Sequence, residues 1–103
     1  NPNLLAPTLC ESCACHVFHQ SVIRILNGKR DGLLEHLQAK GIPCAIYYPI
    51  PLHSQKAYAD ARYNEADFPV TNQLVKEVIA LPMHTELDDE QIKFITDSVL
   101  EFV

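Results

Sequence analysis

The stretch Gly41–Tyr58, GIPCAIYYPIPLHSQKAY, limits the fold more than any other part of the chain. Pro49 and Pro51 carry no backbone N–H, so a strand running from Pro43 to Tyr48 must stop at them. The chain then follows a fixed, non-repetitive path that presents Tyr47, Tyr48, His53 and Gln55, residue types that a plain core strand does not need.

Around this stretch the apolar pattern alternates between strand and helix periods. Residues 1–8, with Pro2 and Pro7 and no periodicity, read as an extended linker remnant. From Ala14 to Leu26, alternation predicts a long strand that Asn27-Gly28 ends. Asp31 is a candidate N-cap for a helix through Lys40, with Leu33, Leu34 and Leu37 on one stripe and Gly41 as its left-handed stop. His53–Ala61 reads as a helical turn or short helix, and Asn64–Phe68 as a surface loop. Pro69–Glu77 is a helix that tolerates proline at its start, and Val78–Leu81 is a strand closed by Pro82.

The last helix carries the clearest start signal. Asp88 and Gln91 form a capping-box pair, Leu87 is placed to staple onto Ile92, and Ile92, Ile95, Val99 and Phe102 recur at spacings of three and four. The order strand, helix, strand, helix, strand, helix predicts an α+β fold: a small, mainly antiparallel sheet with helices packed on one face. Residues 1–13 are expected to be a linker or domain-junction remnant and residues 14–103 the folded domain.

At 103 residues, with 48% hydrophobic and 20% charged positions, the chain suits one modest core. A net charge of -5 provides no basic field for a nucleic acid partner. No apolar run approaches the ~20 residues of a membrane span, and no signal-peptide pattern opens the chain, so cytoplasmic residence is expected. Met83 is the only methionine, from which a start upstream of Asn1 is expected.

Taken together, His16-Val-Phe-His-Gln, Arg30-Asp31, Lys40-Gly41-Ile42, the Gly41–Tyr58 stretch, Leu81-Pro82-Met83-His84 and the final helix make the chain resemble the C-terminal small domain of the DegT/StrS family. These are pyridoxal-phosphate-dependent aminotransferases that act on keto sugars bound to nucleotides. The resemblance covers nearly the whole chain and implies a fragment whose N-terminal large domain is missing. It further implies pyridoxal 5'-phosphate as cofactor of the full-length enzyme, a nucleotide-sugar substrate and a homodimer.

That family holds its cofactor through a lysine in a Ser-x-x-Lys setting, which this chain lacks. Lys29, Lys40, Lys56, Lys76 and Lys93 are expected on turns and exposed helix faces, so no catalytic residue is assigned and the chain alone is expected to be inactive. By resemblance, Tyr47, Tyr48 and His53 are the substrate-binding candidates. A phenol offers a flat face to a sugar ring and a hydroxyl to its oxygens. The competing reading is a pair of strand tyrosines and a backbone-satisfied histidine. Tyr47 stands where many members have histidine, so an acid–base role there does not carry over. His84 precedes Thr85 where the family commonly has proline, and a structural role is expected for it.

Two other readings compete. Cys10-x-x-Cys13-x-Cys15-His16, with His19 and Cys44, offers zinc-type ligands, yet no second half-site follows and Cys15 and His16 fall on opposite strand faces, so no metal is assigned. A stand-alone, non-catalytic binding or interaction module is the remaining alternative, since small α+β sandwiches serve that role.

Overall fold

The computed structural model describes residues 1–9, 12 and 17–103. Three strands, β1 (Leu4–Leu5), β2 (Ser21–Ile25) and β3 (Val78–Leu81), form one sheet in the order β1-β2-β3. Three α-helices accompany them: α1 (Arg30–Ala39), α2 (Pro69–Glu77) and α3 (Asp89–Phe102). Both strand pairings are antiparallel, with Ile23 opposite Ile79 and Leu4 opposite Ile25. The expected α+β architecture is therefore the observed one.

Ile23, Ile25 and Ile79 share a sheet face, and they are buried with Leu33 and Leu37 of α1, Val99 of α3 and Ile42. Helices α1 and α3 reach this core by devices visible in their sequences. Gly41, at φ +74°, closes α1 in a Schellman motif: its N–H donates to the carbonyl of Gln38 and the N–H of Ile42 to that of Leu37, both at 2.9 Å. The motif turns Ile42 back into the core.

Gly32 permits the close crossing of α1 and α3, since a Cβ there would lie 3.0 Å from the Phe102 ring. Asp88 and Gln91 form the expected reciprocal cap, at 2.8 and 3.1 Å. On the α3 stripe, Val99 is buried and Ile95 and Phe102 half-buried, whereas Ile92 is exposed and lines an open cavity with Leu87.

The long strand expected over Ala14–Leu26 is only Ser21–Ile25, its first three positions lying outside the described residues. Phe18 has φ +45°, a left-handed conformation that an extended ladder cannot pass through. Asp31 does not cap α1. Lys29 occupies the cap, its N–H donates to the Asn27 side chain at 3.1 Å, and Asp31 sits in the first turn bonded to Arg30. Residues 1–8 also hold more structure than expected, because Leu4–Leu5 adds a strand beside Arg24 and Ile25.

The strand expected over Pro43–Tyr48 is reduced to one bridge, Ala45 to Ala80, with N–H···O distances of 3.1 and 2.8 Å. Its register explains why. Pairing Ala45 with Ala80 sets Pro43 opposite Pro82, where neither residue has an N–H to give. In the other direction Tyr47 falls opposite Val78, whose N–H already donates to the Leu74 carbonyl and whose carbonyl accepts from Arg30 at 3.1 Å.

His53–Ala61 is likewise not one helix. Single 3-10 turns at Leu52–Ser54 and Lys56–Tyr58 are separated by an extended Gln55, and a third turn at Glu65–Asp67 is capped by Asn64. No helix among the described residues is long and apolar enough to cross a membrane.

Candidate functional site

The candidate residues fall in two places on the segment between Pro43 and α2. Tyr47 and Tyr48, 57% and 73% exposed, line a cavity of about 100 Å³ against Val22, Val78 and Ala80, the sheet positions facing away from the core. Tyr47 also borders a second space, of about 190 Å³, with His19, Cys44 and Pro82. Neither phenol is a buried strand residue, so the competing reading as a pair of strand tyrosines does not describe them.

His53 lies elsewhere, half-buried at the edge of a cavity of about 650 Å³. Its ring stacks on Phe68 at a centroid distance of 4.3 Å, and Phe68 in turn meets Tyr63 at 6.2 Å. Tyr58, Tyr63, Asp60 and Thr71 complete the wall. Asp60 is held by Arg62 through its side chain and backbone, which keeps its carboxyl below the usual range. The Arg62 guanidinium also lies over the Tyr63 ring, 5.6 Å from its centroid.

The hydrogen bonds fix the His53 tautomer. Asn72 Nδ2 donates to the Glu65 carbonyl at 2.7 Å, which sets the amide so that Oδ1 faces His53 Nε2 at 3.1 Å. Oδ1 only accepts, so Nε2 carries the proton and a neutral ring keeps a bare lone pair on Nδ1. Sequence reasoning missed Asn72, Phe68 and Tyr63. The available signal was the recurrence of Tyr58, Tyr63 and Phe68 at every fifth position, from the segment read as a helical turn into the one read as a surface loop.

His84 takes the expected structural part, its Nδ1 accepting from the Glu86 N–H at 3.2 Å. Cys10, Cys13, Cys15 and His16 lie outside the described residues. Of the other proposed metal ligands, His19 and Cys44 line one cavity, and burial pushes the Cys44 thiol upward while its Sγ faces the Leu34 carbonyl at 3.9 Å. Lys40 pairs with Glu101 and Lys93 with Asp97, while Lys29, Lys56 and Lys76 are exposed.

Comparison with known proteins identifies the setting of these residues. The DegT/DnrJ/EryC1/StrS aminotransferase family matches residues 2–100. A pleiotropic regulatory protein of Geobacillus stearothermophilus is 41% identical over 87 residues, 84% of this chain and 23% of its own length. The UDP-N-acetyl-3-dehydro-alpha-D-glucosamine 3-aminotransferase of Acidithiobacillus ferrooxidans is 46% identical over 75% of this chain and 20% of its own.

Among solved structures, DesV of S. venezuelae in complex with a ketimine intermediate superposes with a TM-score of 0.87 at 30% identity, and a Brucella abortus aminotransferase with 0.85 at 34%. Each superposition covers 98% of this chain and 26% of the other. The chain thus spans about a quarter of the length of the proteins it matches, and it belongs to the DegT/DnrJ/EryC1/StrS aminotransferase family.

Proposed function

We propose that this chain is the small-domain part of a pyridoxal-phosphate-dependent aminotransferase that aminates a keto sugar on a nucleotide carrier. In this reading it supplies a wall of the substrate site and contacts of a homodimer in a cytoplasmic enzyme, while a large domain outside this chain performs the chemistry. One observation carries the proposal: the family match runs through nearly every residue, yet relatives named as nucleotide-sugar transaminases are about four times longer.

The residues present do not fit the covalent part of the cofactor's chemistry. A Schiff-base lysine has to be sequestered so that its amine is available as a nucleophile. Here Lys40 and Lys93 are ion-paired and the other lysines are exposed. Nor is an arginine left over for a phosphate, since Arg24 binds Glu77, Arg62 binds Asp60, and Arg30 ties the carbonyls of Val75 and Val78 at 3.0 and 3.1 Å.

What the chain does supply is orientation. Tyr47 and Tyr48 present phenol faces and hydroxyls on an open surface, and His53 is held in one tautomer by Asn72. These groups suit binding and positioning of a polar ring rather than bond breaking. In the full-length enzyme, Tyr48→Phe is expected to lower kcat/KM by roughly 2- to 10-fold, the equivalent of one hydrogen bond to substrate. Unchanged kinetics would remove Tyr48 from the site.

A further inference from the structure

The cavity at His53 is the largest space among the described cavities, and its chemistry differs from that of the Tyr47–Tyr48 surface. At about 650 Å³ it lies within the size range of small-ligand sites. Its lining is rich in rings, with the stacked His53 and Phe68 together with Tyr58 and Tyr63. Such walls select a flat ligand, because stacking rewards planarity more than it rewards any particular edge.

The polar groups narrow the ligand further. Arg62 occupies both carboxylate oxygens of Asp60 at 2.7–3.1 Å, so the one acid of the wall is neutralised and the one nearby guanidinium is engaged. The wall therefore suits an uncharged group rather than a phosphate or an ammonium. His53 brings one acceptor, Nδ1, with no protein partner among the described residues. Tyr58, Tyr63 and Thr71 bring hydroxyls that are similarly unpartnered.

One acceptor and several hydroxyls lining the same cavity are complementary in kind to an N–H flanked by two carbonyls, the imide edge of uracil and thymine. Lys56, exposed and without an ion-pair partner among the described residues, directly precedes Ala57 of the wall, so a cation adjoins the cavity lining in sequence. We propose that this cavity is a subsite for the pyrimidine ring of a nucleotide, with His53 Nδ1 accepting the imide N3–H. The proposal rests on the aminotransferase reading for its nucleotide, as relatives are named for UDP- and dTDP-linked sugars. It assigns base recognition to a place separate from the tyrosine surface.

The test needs no change to the protein. Uridine, N3-methyluridine and glucose are titrated at millimolar concentration into the 103-residue chain, and the His53, Tyr63 and Phe68 ring resonances are followed by NMR. Uridine is expected to shift all three, and N3-methyluridine to bind at least about 10-fold more weakly, since it stacks equally well but has no proton to donate. His53→Phe keeps the stack on Phe68 and removes the acceptor, and it should abolish the preference between the two nucleosides.

Equal binding of the two nucleosides to the native chain would overturn the role given to His53. Shifts produced by glucose and not by uridine would overturn the base subsite, as would an absence of shifts in a chain whose spectrum shows it folded. None of these results touches the aminotransferase reading. That reading fails separately, if the full-length protein transfers no amino group to a nucleotide-linked keto sugar.

Discussion

Two halves of this molecule handle their apolar residues in opposite ways. In the half made of β2, β3, α1 and α3, Ile25, Leu33, Leu37 and Ile79 are wholly buried. In the segment between Pro43 and Phe68, Tyr47, Tyr48, Ile50, Leu52, Tyr58 and Tyr63 are all more than half exposed. The first half builds a closed core on one face of the sheet, with Ile92, Phe94 and Leu100 left exposed on α3. The second has comparable apolar content but packs little of it inward, and that is the form expected of a surface completed by contacts beyond this chain. Prolines 43, 49, 51 and 82 keep the second region from collapsing into a further strand.

The difference can be broken most forcefully at its packed end. Leu37→Ala removes a fully buried side chain of the core cluster, and should cost about 2–5 kcal/mol of unfolding free energy in denaturant titration. Asp88→Ala removes one side of the α3 cap and should cost about 0.5–2 kcal/mol by the same measurement.

A smaller, pH-dependent effect lies where α2 meets the sheet. Hydrogen bonds from Gln73 and then Arg24 hold the Glu77 carboxyl below the usual range. A depressed carboxyl stabilises the fold above the unfolded value of about 4.3, and that contribution is lost as the pH falls through the folded value. Glu77→Gln should therefore flatten the dependence of stability on pH in the acid range, as read from melts between neutral and acid buffer. The smallest effect belongs to the exposed half: Tyr48→Phe should leave stability within about 0.5 kcal/mol, since Tyr48 is 73% exposed. A large loss there would mean that the two regions are not separate.

The sequence disclosed the parts of the fold governed by local chemistry. Pro69 at the start of α2, Gly41 after α1 and the Asp88–Gln91 box each act within a few residues, so their elements could be located in advance. What it hid depends on distant partners. The bridge at Ala45 stops because Pro43 meets Pro82, and because Arg30, from another helix, occupies the Val78 carbonyl. The site follows the same division. Tyr47, Tyr48 and His53 stand out in one motif, whereas their separation into two cavities depends on Phe68 and Asn72, which lie in neighbouring segments outside that motif.

The reactive amine of the proposed transaminase is expected to lie outside these residues. Incubating the chain with pyridoxal phosphate, reducing with borohydride and mapping the adducts by mass spectrometry tests it directly. Sparse labelling spread over the exposed lysines is expected, with none modified stoichiometrically. One lysine labelled to completion while the rest stay untouched would contradict it.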